Sequence, residues 1–292
     1  MESNSSLEFV KCNVCGADKT RTIIPTMKNL VKCLNCGLIY RNPRIHQEAW
    51  IDSQKQSPYK NTELTFHSAE ENIMKHTISR LQKRFKGKSV KLIDIGCGFG
   101  AFLNLIKDSG WDISGMDVCK DATDFVKDKL NIPVLCTYIT NSGLKDNTFD
   151  LVTMFSVIDM LNDPKKQLQD VARILKKDGL LVMRINNGLW HAALSRFNFL
   201  LNRIGIYPAV IHLYALRPKD VKKLLELTGY KNIVIENSKF TKGDIYNTGG
   251  VFGKYFVILG KFAMYYFSEM VYYFSFKQIA LFPTIMAYAQ KN

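Results

Sequence analysis

Short apolar runs alternate with helical segments from Val90 onwards, and this alternation restricts the possible folds more than any other feature of the chain. The four expected strands are residues 90–95, 113–117, 149–155 and 179–185. Strands that alternate with helices at this spacing favour parallel pairing, with helices on both faces of the sheet. The sequence therefore predicts an α/β, Rossmann-like, doubly wound sheet.

A glycine-rich turn, residues 94–100, follows the first expected strand. Its glycines and Ala101 also fit the dinucleotide pattern G-x-G-x-x-A, so the turn by itself leaves two ligand classes open. A pyrophosphate would be repelled by Asp94, whereas a ligand that carries an ammonium and a sulfonium group would be attracted. Asp117, at the end of the next strand, can accept both ribose hydroxyls of either ligand class.

Four cysteines with the spacing Cys12-x2-Cys15-x17-Cys33-x2-Cys36 predict a structural zinc site. Two tight knuckles would each present two thiolates, which together satisfy the tetrahedral preference of zinc and leave no open position for catalysis. Residues 11–44 contain seven Lys/Arg and only Asp18 against them, so this segment could not build a conventional core without such a metal.

The sequence resembles class I S-adenosylmethionine-dependent methyltransferases of the type 11/23 kind that carry a zinc ribbon before the catalytic domain. The segments that carry the resemblance are residues 33–44, 90–120, 148–159, 172–182 and 212–230. The resemblance implies a seven-stranded sheet with an antiparallel last strand, which suits the apolar run 280–289. It also implies S-adenosylmethionine as the methyl donor.

The resemblance places cofactor-binding roles on matching positions of this chain. Asp94 and Gly96 would lie near the methionine moiety, Asp117 on the ribose, and Phe155 with Ser156 along the cofactor. The other expected cofactor-binding residues are Cys97, Gly98, Gly100, Val118, Thr137 and Tyr138.

Two positions depart from the pattern of the family. Members often have an acidic residue after the third strand, where this chain has Cys136-Thr137-Tyr138, so adenine recognition falls to stacking on Tyr138 or to backbone groups. Many also have Glu-His after the fourth strand, where this chain has Asp159-Met160, which removes one potential general base. His212 lies in the segment that roofs the active site in the family and is the candidate catalytic base, with a structural histidine as the alternative.

The chain is expected to have three parts: a zinc ribbon over 1–45, a linker with a surface helix over 46–88, and the methyltransferase domain over 89–292. Within the last part we expect an apolar insertion over 188–216 and an aromatic helix over 251–276.

The aromatic helix is expected to have an apolar surface that packs against protein or lipid. Its polar residues Lys254, Lys261, Ser268 and Ser275 recur at every seventh position, which gives a narrow polar stripe on an otherwise apolar cylinder. Such a helix is buried or meets lipid. Packing as a lid, a homodimer interface and contact with a membrane surface all remain open, whereas the charges in this segment argue against a membrane-spanning helix.

The formal charge of +14, from 40 Lys+Arg against 26 Asp+Glu, is concentrated in two patches. One is the ribbon, and the other has seven basic residues and no acidic residue between Lys75 and Lys91. Both lie outside the expected cleft, so a phosphorylated or lipid-linked acceptor is as compatible with them as RNA. Residues 1–10 show no secretory or transit pattern, and we expect a cytoplasmic protein, peripheral at the membrane if the aromatic helix meets lipid.

Taken together, the residues and the resemblance predict transfer of a methyl group from S-adenosylmethionine to oxygen or carbon of a small molecule such as a sugar, a quinone or a lipid. The absence of an Asn/Asp-Pro-Pro-Phe/Tyr motif at residues 155–158 argues against methylation of a nucleobase amine. Two alternatives stay open: an RNA methyltransferase that binds RNA through the basic ribbon, and a catalytically inactive cofactor-binding module.

Overall fold

The computed structural model describes residues 7–23, 29–46, 49, 52, 60–195, 203, 211–241 and 251–292, and only the backbone of 60–69, 194–195 and 251–257. Residues 47–48, 50–51 and 53–59 of the predicted linker, and 196–202 and 204–210 of the predicted insertion, lie outside the described residues. Within the described residues there are thirteen strands: β1 (Leu7–Glu8), β2 (Thr20–Thr22), β3 (Leu30–Cys33), β4 (Ile39–Arg41), β5 (Arg44–Ile45), β6 (Lys91–Ile95), β7 (Asp112–Asp117), β8 (Val134–Cys136), β9 (Phe149–Phe155), β10 (Leu175–Asn186), β11 (Tyr214–Ala215), β12 (Tyr230–Asn237) and β13 (Thr284–Lys291). The α-helices with described bounds are α1 (Lys60–Arg84), α2 (Ala101–Ile106), α3 (Lys120–Leu130), α4 (Pro164–Ile174), α5 (Gly188–Ser195), α6 (Pro218–Leu227) and α7 (Val251–Phe274).

Seven strands form one sheet in the order β12-β13-β10-β9-β6-β7-β8. Strands β6 to β10 pair in parallel, and β13 runs antiparallel between β10 and β12. This confirms the predicted doubly wound fold and its antiparallel last strand. The chain leaves β6 in one direction towards β8 and then crosses back to β9, so a crevice opens at the carboxyl ends of β6 and β9.

Helices cover both faces of the sheet because the central strands bury apolar side chains on each side. On one face, α4 and α6 pack through residues such as Leu168 and Leu224. On the other face, α1 and α2 pack through residues such as Ile73 and Phe102. The predicted surface helix therefore contributes a buried stripe to the core.

Helix α4 begins as its sequence predicts. The Asp163 side chain accepts a hydrogen bond from the Lys166 amide at 3.0 Å, and Pro164 occupies the first turn. This cap satisfies a backbone donor that the helix itself cannot pair.

The ribbon and the doubly wound part share a second sheet. Its four strands have the order β11-β4-β3-β2, so the last part of the predicted insertion supplies an edge strand to the cysteine-bearing segment. Tyr214 pairs with Tyr40 across this junction, and their rings lie stacked with centroids 6.5 Å apart. The sequence did not indicate this pairing, because β11 is only two residues long.

Arg44 is the buried charge at this junction. Its guanidinium donates to Glu8 Oε1 at 2.8 Å and to the Asn162 carbonyl and the Tyr214 hydroxyl, each at 2.7 Å. Only 7% of the Arg44 residue surface is exposed. Since a guanidinium is always charged, its burial is tolerated only because these acceptors compensate it.

We predict that Arg44→Ala lowers the free energy of unfolding by about 3 kcal/mol, because it leaves Glu8 and two buried acceptors without their charged donor. Chemical denaturation monitored by circular dichroism measures this change. Lys11→Ala is the control, since Lys11 pairs with Asp18 in solvent and its loss should cost less than about 1 kcal/mol. Equal effects of the two substitutions would contradict the structural role of Arg44.

Candidate functional site

The turn between β6 and α2 forms the floor of the crevice. Gly96, Gly98 and Gly100 have φ angles of 72°, 49° and 76°, a region that side chains disfavour. A Cβ atom at Gly96 would also collide with Val157, which follows β9. The glycines thus let the end of β9 approach the turn closely.

The amides of this turn are largely engaged within the protein. Gly96 and Cys97 donate to the Met116 carbonyl at 2.7 and 3.1 Å, and Gly100 donates to the Cys97 carbonyl at 2.9 Å. Gly98 donates to Asp117 Oδ2 at 2.8 Å. A pyrophosphate cradle needs such amides free to face the anion, so the geometry disfavours the dinucleotide interpretation of the motif.

Asp94 lies beneath the turn on β6 and is almost fully buried. Its Oδ1 accepts a hydrogen bond from the Thr153 hydroxyl on β9 at 2.7 Å. Burial, with a smaller contribution from Asp117, raises the pKa of Asp94 to about 7 despite the hydrogen bond from Thr153. A cationic ligand would stabilise the ionised carboxylate and relieve this penalty.

Asp117 ends β7 beside the turn. Its Oδ2 accepts from Gly98 and its Oδ1 accepts from the Cys119 amide at 2.9 Å, which fixes the orientation of the carboxylate. Burial raises the pKa of Asp117, and the backbone hydrogen bonds counteract that effect. Each carboxylate oxygen of Asp117 can accept a further hydrogen bond, so the two oxygens can accept from two neighbouring hydroxyls of a ligand.

Residues after β8 complete this side of the crevice. The Thr137 amide donates to the Asp117 carbonyl at 3.0 Å, and the half-buried Tyr138 follows it. Burial and then the charge of Asp117 raise the pKa of Tyr138 to about 12, which places the phenol near that carboxylate. Val118 is half-buried at the start of the loop after β7, and its carbonyl accepts from the Cys136 thiol at 3.7 Å.

Two of the predicted cofactor-binding side chains pack against the protein. The Cys97 thiol is buried against Gly115, where an added Cβ would lie 2.9 Å from its Sγ. Only the backbone of Cys97 therefore remains for ligand contact. The half-buried Phe155 ring packs on Phe102, with centroids 4.8 Å apart.

Ser156 turns the chain sharply after β9, with a φ of 59°. Its hydroxyl accepts from Arg184 Nη1 at 2.5 Å, and Arg184 also forms a buried ion pair with Glu70 of α1 at 2.8 Å. A left-handed non-glycine residue at a strand end is a strained conformation that its surroundings must hold. Sequence reasoning missed Arg184, because an arginine inside an apolar strand gives no sign of the partners that compensate it.

Asp159 is the second residue that sequence reasoning missed. It is fully buried after β9, and its Oδ2 accepts from the Asn186 amide group at 3.3 Å. Burial raises the pKa of Asp159, while the nearby charges of His212 and His191 lower it. The structure thus brings the predicted base, His212, near a buried carboxylate, although among the described residues no hydrogen bond or ion pair joins the two side chains.

The ribbon holds the backbone that carries His212. Arg41 Nε donates to the His212 carbonyl at 2.6 Å, and Arg41 Nη2 donates to the Ile211 carbonyl at 2.9 Å. On the other side, the Leu213 amide donates to the Asp159 carbonyl at 3.0 Å. The half-buried His212 is therefore anchored between the ribbon and the end of β9.

The four predicted zinc ligands form one cluster. The Sγ atoms of Cys12, Cys15, Cys33 and Cys36 all lie within 4.8 Å of one another. Zinc–thiolate bonds of about 2.3 Å require sulfur atoms about 3.8 Å apart, so the cluster fits a tetrahedral ion. Gly16 and Gly37 follow the two knuckles with φ angles of 73° and 78°, as those turns require.

Comparison with known proteins agrees with this geometry. A family model described as a methyltransferase domain matches residues 93–183. An uncharacterized protein of Methanocaldococcus jannaschii is 38% identical over 42% of this chain and 53% of its own length. A ubiquinone biosynthesis O-methyltransferase of Coxiella burnetii is 26% identical over 51% of this chain and 66% of its own length.

A solved structure has the same fold. A SAM-dependent methyltransferase from Archaeoglobus fulgidus superposes with a TM-score of 0.54 at 21% identity, over 80% of this chain and all of its own.

The fold is that of class I S-adenosylmethionine-dependent methyltransferases. The stretch that matches the methyltransferase domain, 93–183, runs from β6 into β10 and includes the glycine turn, Asp94 and Asp117. The chain spans between about half and two thirds of the length of the curated relatives described above.

We predict that the affinity for S-adenosylmethionine falls as the pH drops below about 7. Asp94 has a raised pKa of about 7, so its carboxylate becomes neutral at lower pH and no longer attracts the cationic donor. The affinity should fall by up to about tenfold for each pH unit below that value. Calorimetry between pH 5.5 and 8 measures the trend.

Asp94→Asn is the control for this titration. Its weaker affinity should stay constant over the same pH range, because the amide does not ionise. The same slope in wild type and Asp94→Asn would assign the titration to another group.

Proposed function

We propose that the protein transfers the methyl group of S-adenosylmethionine to an oxygen atom of a small-molecule acceptor such as a sugar, a quinone or a lipid. The observation that carries this proposal is the position of His212: the amide of the next residue, Leu213, donates to the Asp159 carbonyl at 3.0 Å, at the carboxyl edge that also holds Asp94 and Asp117. The similarity to a ubiquinone biosynthesis O-methyltransferase supports a hydroxyl acceptor.

Asp94 and Asp117 would bind the donor. The buried Asp94 would face its ammonium and sulfonium groups, and Asp117 would accept its ribose hydroxyls. Tyr138 lies near Asp117 and offers a ring for the adenine. When bound, S-adenosylmethionine supplies an electrophilic methyl group on a positively charged sulfur.

His212 would take the proton of the acceptor hydroxyl as methyl transfer proceeds. A hydroxyl is a weak nucleophile until it loses this proton, so a base at this point assists the displacement. The nearby carboxylate of Asp159 would stabilise the imidazolium that forms. Arg41 would act as a positioning residue, because it fixes the carbonyls of Ile211 and His212.

The ribbon's own contacts favour a structural role over RNA binding. Arg41 and Arg44 direct their guanidinium groups at acceptors within the chain. RNA affinity depends on Lys and Arg that are free to neutralise phosphates. Two of the basic residues on which the RNA alternative depends are thus engaged internally.

We predict that His212→Asn lowers kcat by about 10²- to 10⁴-fold with little change in the affinity for S-adenosylmethionine, since the base is lost and the donor site is kept. Asp159→Asn should lower kcat less and shift its pH profile, because the imidazolium loses its buried counter-charge. A radiolabelled methyl-transfer assay against a hydroxylated quinol, a hexose and a hydroxylated lipid measures the rates.

His46→Asn is the matched control, since His46 is exposed directly after β5. It should leave both kcat and its pH profile unchanged. Wild-type turnover by His212→Asn at every pH would exclude the histidine as base, and transfer to none of the acceptors would count against the proposed substrate class.

We also propose that the cluster of Cys12, Cys15, Cys33 and Cys36 binds one structural zinc ion. Mass spectrometry should find one zinc per chain, and a strong chelator should remove it. Because β11 pairs with β4, loss of zinc should speed amide hydrogen exchange at residues 214–215 as well as in the ribbon.

Cys136→Ser is the control for the metal site, because Cys136 is an exposed cysteine that lies on β8. It should retain full zinc content, whereas Cys33→Ser should lose most of it. Unchanged exchange at 214–215 after zinc removal would show that the ribbon does not hold that strand.

A further inference from the structure

Helix α7 contacts the rest of the protein along one side. Among its described side chains, those of 258–274, the buried ones are Tyr265, Ser268 and Tyr272, spaced as one face of a helix. The Ser268 carbonyl accepts from the Asn237 side chain at 3.0 Å, and the Tyr265 hydroxyl accepts from Lys239 Nζ at 2.6 Å. These contacts fasten the helix to the end of β12.

The outward face of α7 is apolar instead of charged. The large apolar and aromatic side chains that are more than half exposed on this helix and the loop after it are Leu259, Tyr266, Phe267, Tyr273, Phe274 and Phe276. Soluble monomers seldom expose an apolar patch of this extent, and larger patches mark contact with a protein or a membrane. We call these residues the aromatic face.

The loop after α7 is folded so that its aromatic side chain points outward. Phe276 and Lys277 both have left-handed backbones, with φ angles of 54° and 65°. The Lys277 amide donates to the Tyr272 carbonyl at 2.7 Å, and the Ile279 amide donates to Ser275 Oγ at 3.0 Å. These hydrogen bonds hold the loop in a conformation that leaves 87% of the Phe276 surface exposed.

The charges near the aromatic face suit an anionic surface. Glu269 is the one carboxylate of residues 251–279, and it accepts from Asn237 Nδ2 at 3.0 Å and lies partly buried. Lys277 is exposed at the end of the face. The whole chain carries a formal +14, which attracts anionic lipid and makes two copies repel each other.

The aromatic face lies beside the edge of the sheet where the crevice opens. Strands β10 and β12 both run parallel to β9 and end at this edge. Phe282 links them, because its amide donates to Asn237 Oδ1 and its carbonyl accepts from Asn187, each at 2.9 Å. The loop and the end of α7 are thus tied to the strand ends that border the candidate site.

We infer that the aromatic face docks on the surface of an anionic lipid bilayer. The helix would lie in the plane of the interface, with Phe and Leu side chains among the acyl chains and Lys277 at the headgroups. Among the described residues, no helix is long and apolar enough to cross a bilayer, so the contact is with one leaflet. Tyrosine rings suit this depth, since they combine an apolar body with a polar tip.

Vesicle cosedimentation of the full chain tests the inference without reference to methyl transfer. Wild type should sediment with vesicles of equal phosphatidylglycerol and phosphatidylcholine, and less with phosphatidylcholine alone. The double variant Phe274→Ser with Phe276→Ser should bind the anionic vesicles at least about tenfold more weakly, because two exposed rings no longer enter the interface.

Phe9→Ser is the matched control, because Phe9 and Phe274 are each 81% exposed and Phe9 lies in the N-terminal segment. It should bind vesicles as wild type does. Absence of wild-type binding would overturn the inference, as would an equal loss in the control. Light scattering measures the oligomeric state and gives the other decisive outcome. If wild type is a dimer and the double variant is a monomer, the aromatic face binds a second copy of the chain instead of lipid.

Discussion

The reversal of strand order between β6 and β9 is the constraint on which the rest of the site depends. Asp94 on β6 pairs in register with Thr153 on β9, and their side chains join through the 2.7 Å hydrogen bond. The chain crosses at this point, which opens a crevice at the strand ends from which a ligand can approach Asp94 and Asp117. The glycine turn and the sharp bend at Ser156 then shape the crevice on either side.

Three carboxylates in and around this crevice are buried, and each has a raised pKa because of that burial. Hydrogen bonds from Thr153, Cys119 and Asn186 compensate them in part. A protein tolerates such unfavourable charges where function requires them, because a ligand or a developing cation later provides the missing partner. The burial of Asp94 and Asp159 thus supports the proposed binding of a cationic donor and the proposed role of His212, whereas Asp117 would accept the neutral hydroxyls of the ribose.

Sequence reasoning was accurate where local pattern determines structure. The strand and helix alternation, the glycine turn and the cysteine spacing each depend on neighbours in sequence, and all three appear in the structure as predicted. The pairing of β11 with β4 and the approach of Asp159 to His212 depend on contacts between distant segments. For this reason Asp159 was taken only as a departure from Glu-His, although the fold places it beside the histidine. The roles assigned to individual residues, and the domain boundaries at 45 and 88, stay predictions.

The sheet that the ribbon shares with β11 cannot be completed until late in synthesis of the chain. Arg41 and its acceptor Ile211 are 170 positions apart, so β4 leaves the ribosome long before the strand that completes its sheet. At typical elongation rates this interval is roughly 10 to 30 s. During that time β4 is an open edge, which other chains could pair with. A nascent chain whose four cysteines bound zinc early would keep β4 ordered until β11 is synthesised.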